Sequence, residues 1–505
     1  MELLHNIATG FSVCADPIVL LYCFIGVVSG VVIGALPGLG PSTGIAILLP
    51  LTYGMEPVAG IVMLAGIYYG AMYGGSITSI LINTPGESAA VMTALDGYPM
   101  AVKGRPAQAM GMAAYASIIG GTASAVLFML LAPVIAEFAL VFSPAEYFAL
   151  MVMGLTAISG MSGGNAFKGF VAAGLGLFVS TIGLDAIMGT QRFVFGIVHL
   201  YGGIDFVPVA MGLFGIAEII SSSAEESGEQ IKLGPDDLKF RKMFPTKEDW
   251  RWSAPHILRG TLLGFFVGVL PGAGATIASF LSYDLAKKTS KRGELFGTGV
   301  IEGVAAPESA NNAASMGAMV PMLTLGVPGS GSTTVMMGAL LMFGMTPGPF
   351  LFEKEPEFAW GLIASLFIGN LILLLLVIGA LPLFVSILKV RPAILNGVVM
   401  GFIIFGAYAL GNDVFYIGVA GFFGALGFIF KKLKIPAPPM VLAIVLGYIT
   451  ETNLRQAMIL AQGNFIAVIS RPITAVILII ALLLAFGSPI KSLIGRLMAH
   501  RKAAA

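Results

Sequence analysis

Residues Phe358–Leu388 read FAWGLIASLFIGNLILLLLVIGALPLFVSIL, an uninterrupted run without one charged side chain. A spanning helix needs about 20 apolar residues, so this stretch is long enough to cross a bilayer with tilt. PITAVILIIALLLAF at Pro472–Phe486 is a second apolar run. The rest of the chain has the same character: 57% of its 505 residues are hydrophobic, 10% are charged, and the mean hydropathy is +0.94. Soluble domains carry about 25% charged residues, so an ordinary soluble fold is excluded. At roughly 35 residues per span plus loop, the chain has room for about 12–14 transmembrane or broken helices. The expected class is an all-α polytopic membrane protein.

The formal net charge of +1 offers no field for nucleic acid. Two cysteines, Cys14 and Cys23, form neither a disulfide framework nor a CxxC site. The opening MELLHNIATGFSVCADP lacks a basic n-region and a cleavage site, so the first apolar segment is expected to be retained. Glycine stands at 66 residues and proline at 28. Inside apolar segments they imply close helix packing and interrupted helices, which lipid tolerates only where backbone faces protein or a wet cavity.

An internal repeat organises the chain. GALPGLG at Gly34–Gly40 recurs as GVLPGAG at Gly268–Gly274. TPGESAAVMTAL from Thr84 matches VPGSGSTTVMMGAL from Val327, and SPAE at Ser143 faces RPAI at Arg391. The offset between copies grows only slightly from one match to the next, and their order is kept. The chain therefore divides into a first transmembrane repeat at 17–220 and a second at 256–490. Between them, 221–255 holds 13 of the 53 charges and reads as a solvated linker. A basic tail, 491–505, is expected in the cytoplasm.

Lys and Arg placement sets orientation. Lys287, Lys288, Lys291 and Arg292 have no basic counterpart in TYGMEP at 52–57. Lys103 and Arg105 fall opposite the acidic run Glu353–Glu357; Lys431, Lys432 and Lys434 fall opposite STIGL at 180–184; Lys168 falls opposite GND at 411–413. Arg192 and Arg455 fit neither side. Basic loops that alternate between the halves favour inverted-topology repeats, each with an odd number of crossings. Inverted repeats with interrupted helices are a secondary-transporter signature.

Four Pro-Gly clusters interrupt apolar segments. The first holds Pro37, Gly38, Gly40, Ser42 and Thr43, and the second Asn83, Thr84, Pro85, Gly86 and Ser88. The third holds Pro271, Gly272, Gly274 and Thr276, and the fourth Pro328, Gly329, Ser330, Ser332 and Thr333. Proline removes a helix hydrogen bond and glycine permits unusual dihedrals, so each cluster splits a helix. The restarting half-helix presents free N–H groups and a positive dipole end. Small hydroxyls beside it complete a carboxylate or phosphate site without fixed positive charge; a simple kink or tight helix crossing is the competing reading. GVIEGVAAPESANNAAS adds Glu308, Asn311 and Asn312 as candidate oxygen ligands for Na⁺ or as coupling groups, with helix capping and interhelical hydrogen bonding as the alternative. Counting back from the motifs, Asn311 and Asn312 align with Tyr68 and Tyr69.

Other chemistry finds little support. Gly160-Met161-Ser162-Gly163-Gly164 fits GxSxG without a strand–turn–helix context. There is no GK[ST] for ATP. His5, His199, His256 and His500 are too scattered for a transition-metal site. Trp250 and Trp252 read as interfacial anchors before the second repeat.

The two copies of LPGxG, INTPGE and above all APESANNAASMGAMVPMLTLGVPGS at 306–330, followed by TPGP at 346–349, resemble the large membrane subunit of the tripartite tricarboxylate transporter family. The resemblance covers essentially the whole chain. It implies a bacterial inner-membrane permease, multi-pass, that is not an enzyme and uses no cofactor. It further implies a small four-helix membrane subunit and a periplasmic solute-binding protein as partners, and di- or tricarboxylates such as citrate as substrates. Uptake would be driven by an ion gradient, usually Na⁺, and the matched positions are the four clusters and Glu308 to Asn312. A passive anion channel is the first alternative. A cation/proton antiporter leaning on Asp284, Glu302 or Glu308 is the second.

Inversion has a direct check. Single cysteines placed in 287–292 and in 353–357, in a background lacking Cys14 and Cys23, are expected to react with impermeant maleimide from opposite faces of the membrane. Labelling from one face contradicts the inverted arrangement.

Overall fold

The computed structural model describes residues 2–36, 38–161, 166–185, 188–222, 240–387, 390 and 392–485. From the N-terminus come α1 (Glu2–Cys14), α2 (Pro17–Gly34), α3 (Pro41–Leu48), α4 (Pro57–Ile82), α5 (Val91–Val102), α6 (Pro106–Ala139), α7 (Pro144–Met161) and α8 (Ala166–Ser180). A short α9 (Phe206–Ala210), a π-helical turn at Met211–Ile216 and α10 (Ala217–Ser222) follow. The second series is α11 (Lys247–Val269), α12 (Gly274–Thr289), α13 (Glu302–Gly317), α14 (Met319–Leu325), α15 (Gly331–Met342) and α16 (Phe350–Lys354). It continues with α17 (Pro356–Ile387), α18 (Pro392–Ala409), α19 (Val414–Lys432), α20 (Pro438–Leu460) and α21 (Phe465–Ile469). Among the described residues the sheet content is one two-residue ladder, Gly183–Leu184 against Gln191–Arg192. Five helices are long and apolar enough to span a bilayer, with seven shorter apolar helices beside them. The protein is an all-α polytopic membrane protein.

The chain forms two compact units, Met1–Leu140 with Val207–Lys431, and Val141–Phe206 with Lys432–Ala505. Each draws on both halves of the sequence.

In the first unit, two helix pairs share one packing device. A methyl group at Gly26, Gly30 or Gly34 of α2 would stand 2.3, 2.5 or 2.2 Å from the carbonyl oxygens of Met63, Ile67 and Ala71 of α4. In α11, Gly260, Gly264 and Gly268 meet the carbonyls of Ala306, Ala310 and Ala314 of α13 at 2.7, 2.3 and 2.3 Å. The glycines of the two ladders are related by the step that carries Gly34 to Gly268, and the carbonyls by the step that carries Thr84 to Val327, as in the sequence motifs. Only glycine allows backbones so close, a device of helix association in lipid. The helix ends repeat as well. Asn83 closes α4 and Gly326 closes α14, both left-handed, at φ 53° and 68°, which satisfies terminal carbonyls. Gly38 and Gly272 adopt φ 84° and 80° in the two breaks.

Both α4 and α13 lie inside the unit, with almost every side chain buried. α13 is rich in small polar groups, so its burial requires partners. Glu302 pairs with Arg292, whose Nε lies 3.0 Å from Oε1, and accepts from Ser290 Oγ at 3.1 Å. Arg292 in turn covers the Trp252 ring at 4.1 Å. Asp96 of α5 is fully buried and accepts from the backbone N–H groups of Gly297, Gly299 and Val300 at 2.8–3.1 Å and from Tyr283 Oη at 2.8 Å. It thereby fixes the loop that leads into α13.

α11 begins at Lys247, inside the stretch read as a solvated linker. Thr246 and Asp249 form a reciprocal capping box there, which starts the helix before the apolar run. Trp250 stacks edge-on with Tyr115 at 5.8 Å, so it packs within the unit. Residues 223–239 of that stretch, and all of 491–505, lie outside the described residues.

The second unit places Arg192 and Arg455. Both pair with Asp185, at 3.3 and 2.9 Å, and with Glu451, at 2.8 and 2.6 Å. Arg471 and Thr474 bind Glu146 at 2.9 and 2.7 Å.

Valine at Gly264 would force α11 away from α13. Overpacking of this kind costs about 1–3 kcal/mol, so Gly264→Val should lower the thermal midpoint of the purified protein by several degrees. Gly418→Ala, where open space surrounds the new methyl, should leave the midpoint unchanged or raise it. Equal midpoints for Gly264→Val and wild type would contradict the packing account.

Candidate functional site

The four breaks meet in the first unit. α3 packs against α15, and α12 packs against the turn Ser88–Ala90 before α5. Each break of one half therefore faces the other half. Ser42 Oγ on α3 lies 3.0 Å from Ser332 Oγ on α15, and Thr276 Oγ1 on α12 lies 2.7 Å from Ser88 Oγ. Ser42 and Thr276 occupy the same place in their repeats, two residues after Gly40 and Gly274, and Ser332 sits one residue past the counterpart of Ser88. Two equivalent hydroxyl pairs thus bridge the halves.

A second pair of bridges joins the other two motif copies. Tyr68 Oη of α4 lies 3.0 Å from Ser330 Oγ, and Asn311 Nδ2 of α13 points to Glu87 Oε1 at 3.4 Å. Tyr68 and Asn311 are counterparts, as are Glu87 and Ser330, when Thr84 is set on Val327. The sequence reading aligned Tyr68 with Asn311 but passed over Glu87, hidden inside the TPGE motif. The clue was available: it is the one charged residue in the four clusters.

The helix starts differ in how they are capped. Ser330 and Thr333, both expected beside a ligand, form a reciprocal capping box at α15. At α3 and α12 the N-cap residues are Gly40 and Ala273, and neither terminus carries a side-chain cap. Their first N–H groups remain the donors for an anion. The Ser42–Ser332 and Thr276–Ser88 pairs stand beside these two starts.

The glycines answer a packing demand. A methyl at Gly86 would lie 2.1 Å from the Gly34 carbonyl oxygen, and one at Gly329 would lie 2.8 Å from that of Gly268 and 2.7 Å from Ala318 Cα. The missing Cβ at both positions makes room for protein backbone. Gly272 N donates to Gly329 O at 3.1 Å, tying the third break to the fourth. Pro85, Pro271 and Gly274 are half-buried, Pro328 and Thr43 are buried, and Asn83 and Gly38 are exposed. Thr84 Oγ1 turns back to Ile82 O at 3.2 Å. A methyl at Gly38 would meet Glu218 Oε1 at 2.5 Å, and Glu218 pairs with Lys431. Pro37 lies outside the described residues.

Glu308 is fully buried and binds three hydroxyls of the first half: Ser76 at 2.6 Å and Thr93, both on Oε1, and Ser117 on Oε2 at 3.0 Å. Asn312 Nδ2 donates to Glu308 O at 3.3 Å. The Oδ1 atoms of Asn311 and Asn312, both buried, have no hydrogen-bond partner. Two of the carboxylates considered for proton exchange are engaged elsewhere: Glu302 with Arg292, and Asp284, on the surface, with Lys288. No group of three or more His, Cys, Asp or Glu able to hold a metal occurs among the described residues.

The chain matches the family model described as "Tripartite tricarboxylate transporter TctA family" over residues 20–442. It is 41% identical over 482 residues, 95% of each chain, to a protein of Agrobacterium vitis named "Uncharacterized 52.8 kDa protein in TAR-I ttuC' 3'region". A second protein of that organism, "Uncharacterized protein in TAR-II ttuC' 3'region", is 39% identical over 215 residues, 43% of this chain and 89% of its own. No solved structure matches the chain significantly.

Glu308→Leu would orphan three buried hydroxyls, at about 1 kcal/mol or more each. Glu308→Gln keeps an acceptor for two of them. Thermal unfolding should therefore rank wild type above Glu308→Gln and Glu308→Gln above Glu308→Leu; equal loss in both variants would show that the hydroxyls do not depend on this side chain.

Proposed function

This chain belongs to the tripartite tricarboxylate transporter TctA family, and from that premise we propose that it takes up di- or tricarboxylates of the citrate type by secondary active transport. It is a multi-pass membrane protein, the large subunit of a transporter that works with partner subunits. In the reading advanced here, those partners are a small four-helix membrane subunit and a periplasmic solute-binding protein, the membrane is the bacterial inner membrane, and an inward Na⁺ gradient supplies the work.

The observation that carries the reading is the pair of uncapped starts of α3 and α12, equivalent in the two halves and each flanked by a hydroxyl pair. A helix start of this kind holds one carboxylate by backbone N–H groups and the dipole. Two equivalent starts suit a substrate with at least two carboxylates. Neither hydroxyl pair includes a lysine or arginine, so binding stays weak enough for release. High-affinity capture then belongs to the separate binding protein. Because an uncompensated anion is costly inside a membrane, a cation must travel with the substrate. Asn311 and Asn312, whose buried Oδ1 atoms have no hydrogen-bond partner, supply oxygens for it, beside the hydroxyl-bound Glu308.

Reconstitution tests the proposal. Proteoliposomes holding this chain, its small membrane subunit and the binding protein should accumulate radiolabelled citrate above equilibrium under an inward Na⁺ gradient. Accumulation should collapse when Na⁺ is equal on both sides. This chain alone should show negligible uptake at micromolar citrate. Uptake that only reaches equilibrium identifies a channel, and accumulation indifferent to Na⁺ but driven by protons identifies a different coupling ion.

A further inference from the structure

Glu87 is the one carboxylate that the ring of breaks contains, and no basic side chain pairs with it among the described residues. Its contact is the amide of Asn311, at 3.4 Å. Asn311 is fully buried, and its Oδ1 has no hydrogen-bond partner. The equivalent place in the other half is complete: Tyr68 and Ser330, both neutral, meet at 3.0 Å. One half thus closes its bridge with a normal hydrogen bond. The other leaves a carboxylate without a counter-charge beside an amide with an idle oxygen. Glu87 is half-buried, and a carboxylate partly withdrawn from water favours a counter-charge, while buried amide oxygens find donors or cations.

We propose that Glu87 and Asn311 form a binding site for one monovalent metal cation, Na⁺ under cellular conditions. The amide oxygen and nitrogen are nearly isosteric, so a half-turn of the Asn311 side chain presents Oδ1 where Nδ2 now faces Glu87. The carboxylate and the amide oxygen then act as hard ligands, which suit Na⁺ and exclude soft transition ions. One carboxylate balances one positive charge. The nearby Glu308 offers the ion no free ligand, because both its oxygens are held by Ser76, Thr93 and Ser117.

The site deepens the proposed ion-driven uptake and rests on that reading for its role in coupling. Glu87 immediately precedes Ser88, whose hydroxyl meets Thr276 at the start of α12. An ionised Glu87 repels a substrate carboxylate at that helix start. A cation on Glu87 cancels the repulsion, so cation and carboxylate bind together more tightly than either binds alone, and by the same factor in both directions.

The test is ²²Na⁺ binding to the purified full chain in lipid nanodiscs, without any carboxylate. Wild type should bind Na⁺ saturably. Glu87→Gln should weaken binding at least tenfold, Asn311→Leu by roughly 5- to 100-fold, and Glu87→Asp, which keeps the charge, less than Glu87→Gln. Asp284→Asn, on the surface, should bind as wild type does. Thermal unfolding in choline chloride verifies that each variant is folded; should Glu87→Gln fail to fold, the ordering of Glu87→Asp and Asn311→Leu against wild type decides. Wild-type affinity in Glu87→Gln, or in both Glu87→Asp and Asn311→Leu, overturns the site. So does the absence of Na⁺ binding to wild type, including the case where Glu87 takes up only a proton. If Na⁺ binds as expected but the complete transporter never accumulates carboxylate, the uptake reading fails and the cation site stands.

Discussion

Two ladders of close backbone approach run along α2 against α4 and along α11 against α13, where glycines meet carbonyl oxygens at a distance no side chain would permit. The breaks depend on this approach. Gly34 and Gly268 end the ladders, and their carbonyls are the atoms that Gly86 and Gly329 pack against. The first break of each half is thereby pressed onto the second. A methyl at any of these positions would move a helix end, and with it the hydroxyl pairs that join Ser42 to Ser332 and Thr276 to Ser88. Van der Waals contact is the available glue, because lipid offers no hydrophobic drive between helices.

Polar groups add direction to that packing. Glu308 of the second half is held by three hydroxyls of the first, and Asp96 of the first half is held by three backbone N–H groups and a tyrosine of the second. A buried carboxylate is costly unless its lone pairs are met, and a fully met network rigidifies what it joins. Each half thus contributes one carboxylate that only the other half can satisfy. The halves are locked in register around the breaks, while the starts of α3 and α12 keep their N–H groups free of side-chain caps.

Much of this was legible in the residues. Charge depletion announced the membrane class, and the offsets between the repeated motifs reappear as the spacing of glycine contacts and hydroxyl bridges. The Pro-Gly clusters do break the helices. Their partners were not legible, because no local pattern tells Ser42 that it meets Ser332 rather than Ser88. Thr333 looked like a ligand donor, yet a capping box is an equally good use for Ser-x-x-Thr at a helix start. Glu302 looked like a candidate for proton exchange until Arg292, in the loop before α13, came into contact with it. Asp96 gave no signal, since a lone aspartate in MTALDGYP becomes meaningful only when the loop at Gly297–Val300 folds over it. Glu87 was read as motif, and its isolation from positive charge emerges only in three dimensions.

The central claim is that breaks from opposite halves meet to build the transport site, and a reversible cross-link addresses it most directly. Ser42→Cys with Ser332→Cys, in a chain lacking Cys14 and Cys23, replaces hydroxyls 3.0 Å apart by thiols able to form a disulfide. The account predicts that mild oxidation joins the pair in high yield, stops carboxylate uptake by the complete transporter, and that reduction restores it. Failure of the pair to cross-link, or full uptake by the cross-linked protein, would contradict the account.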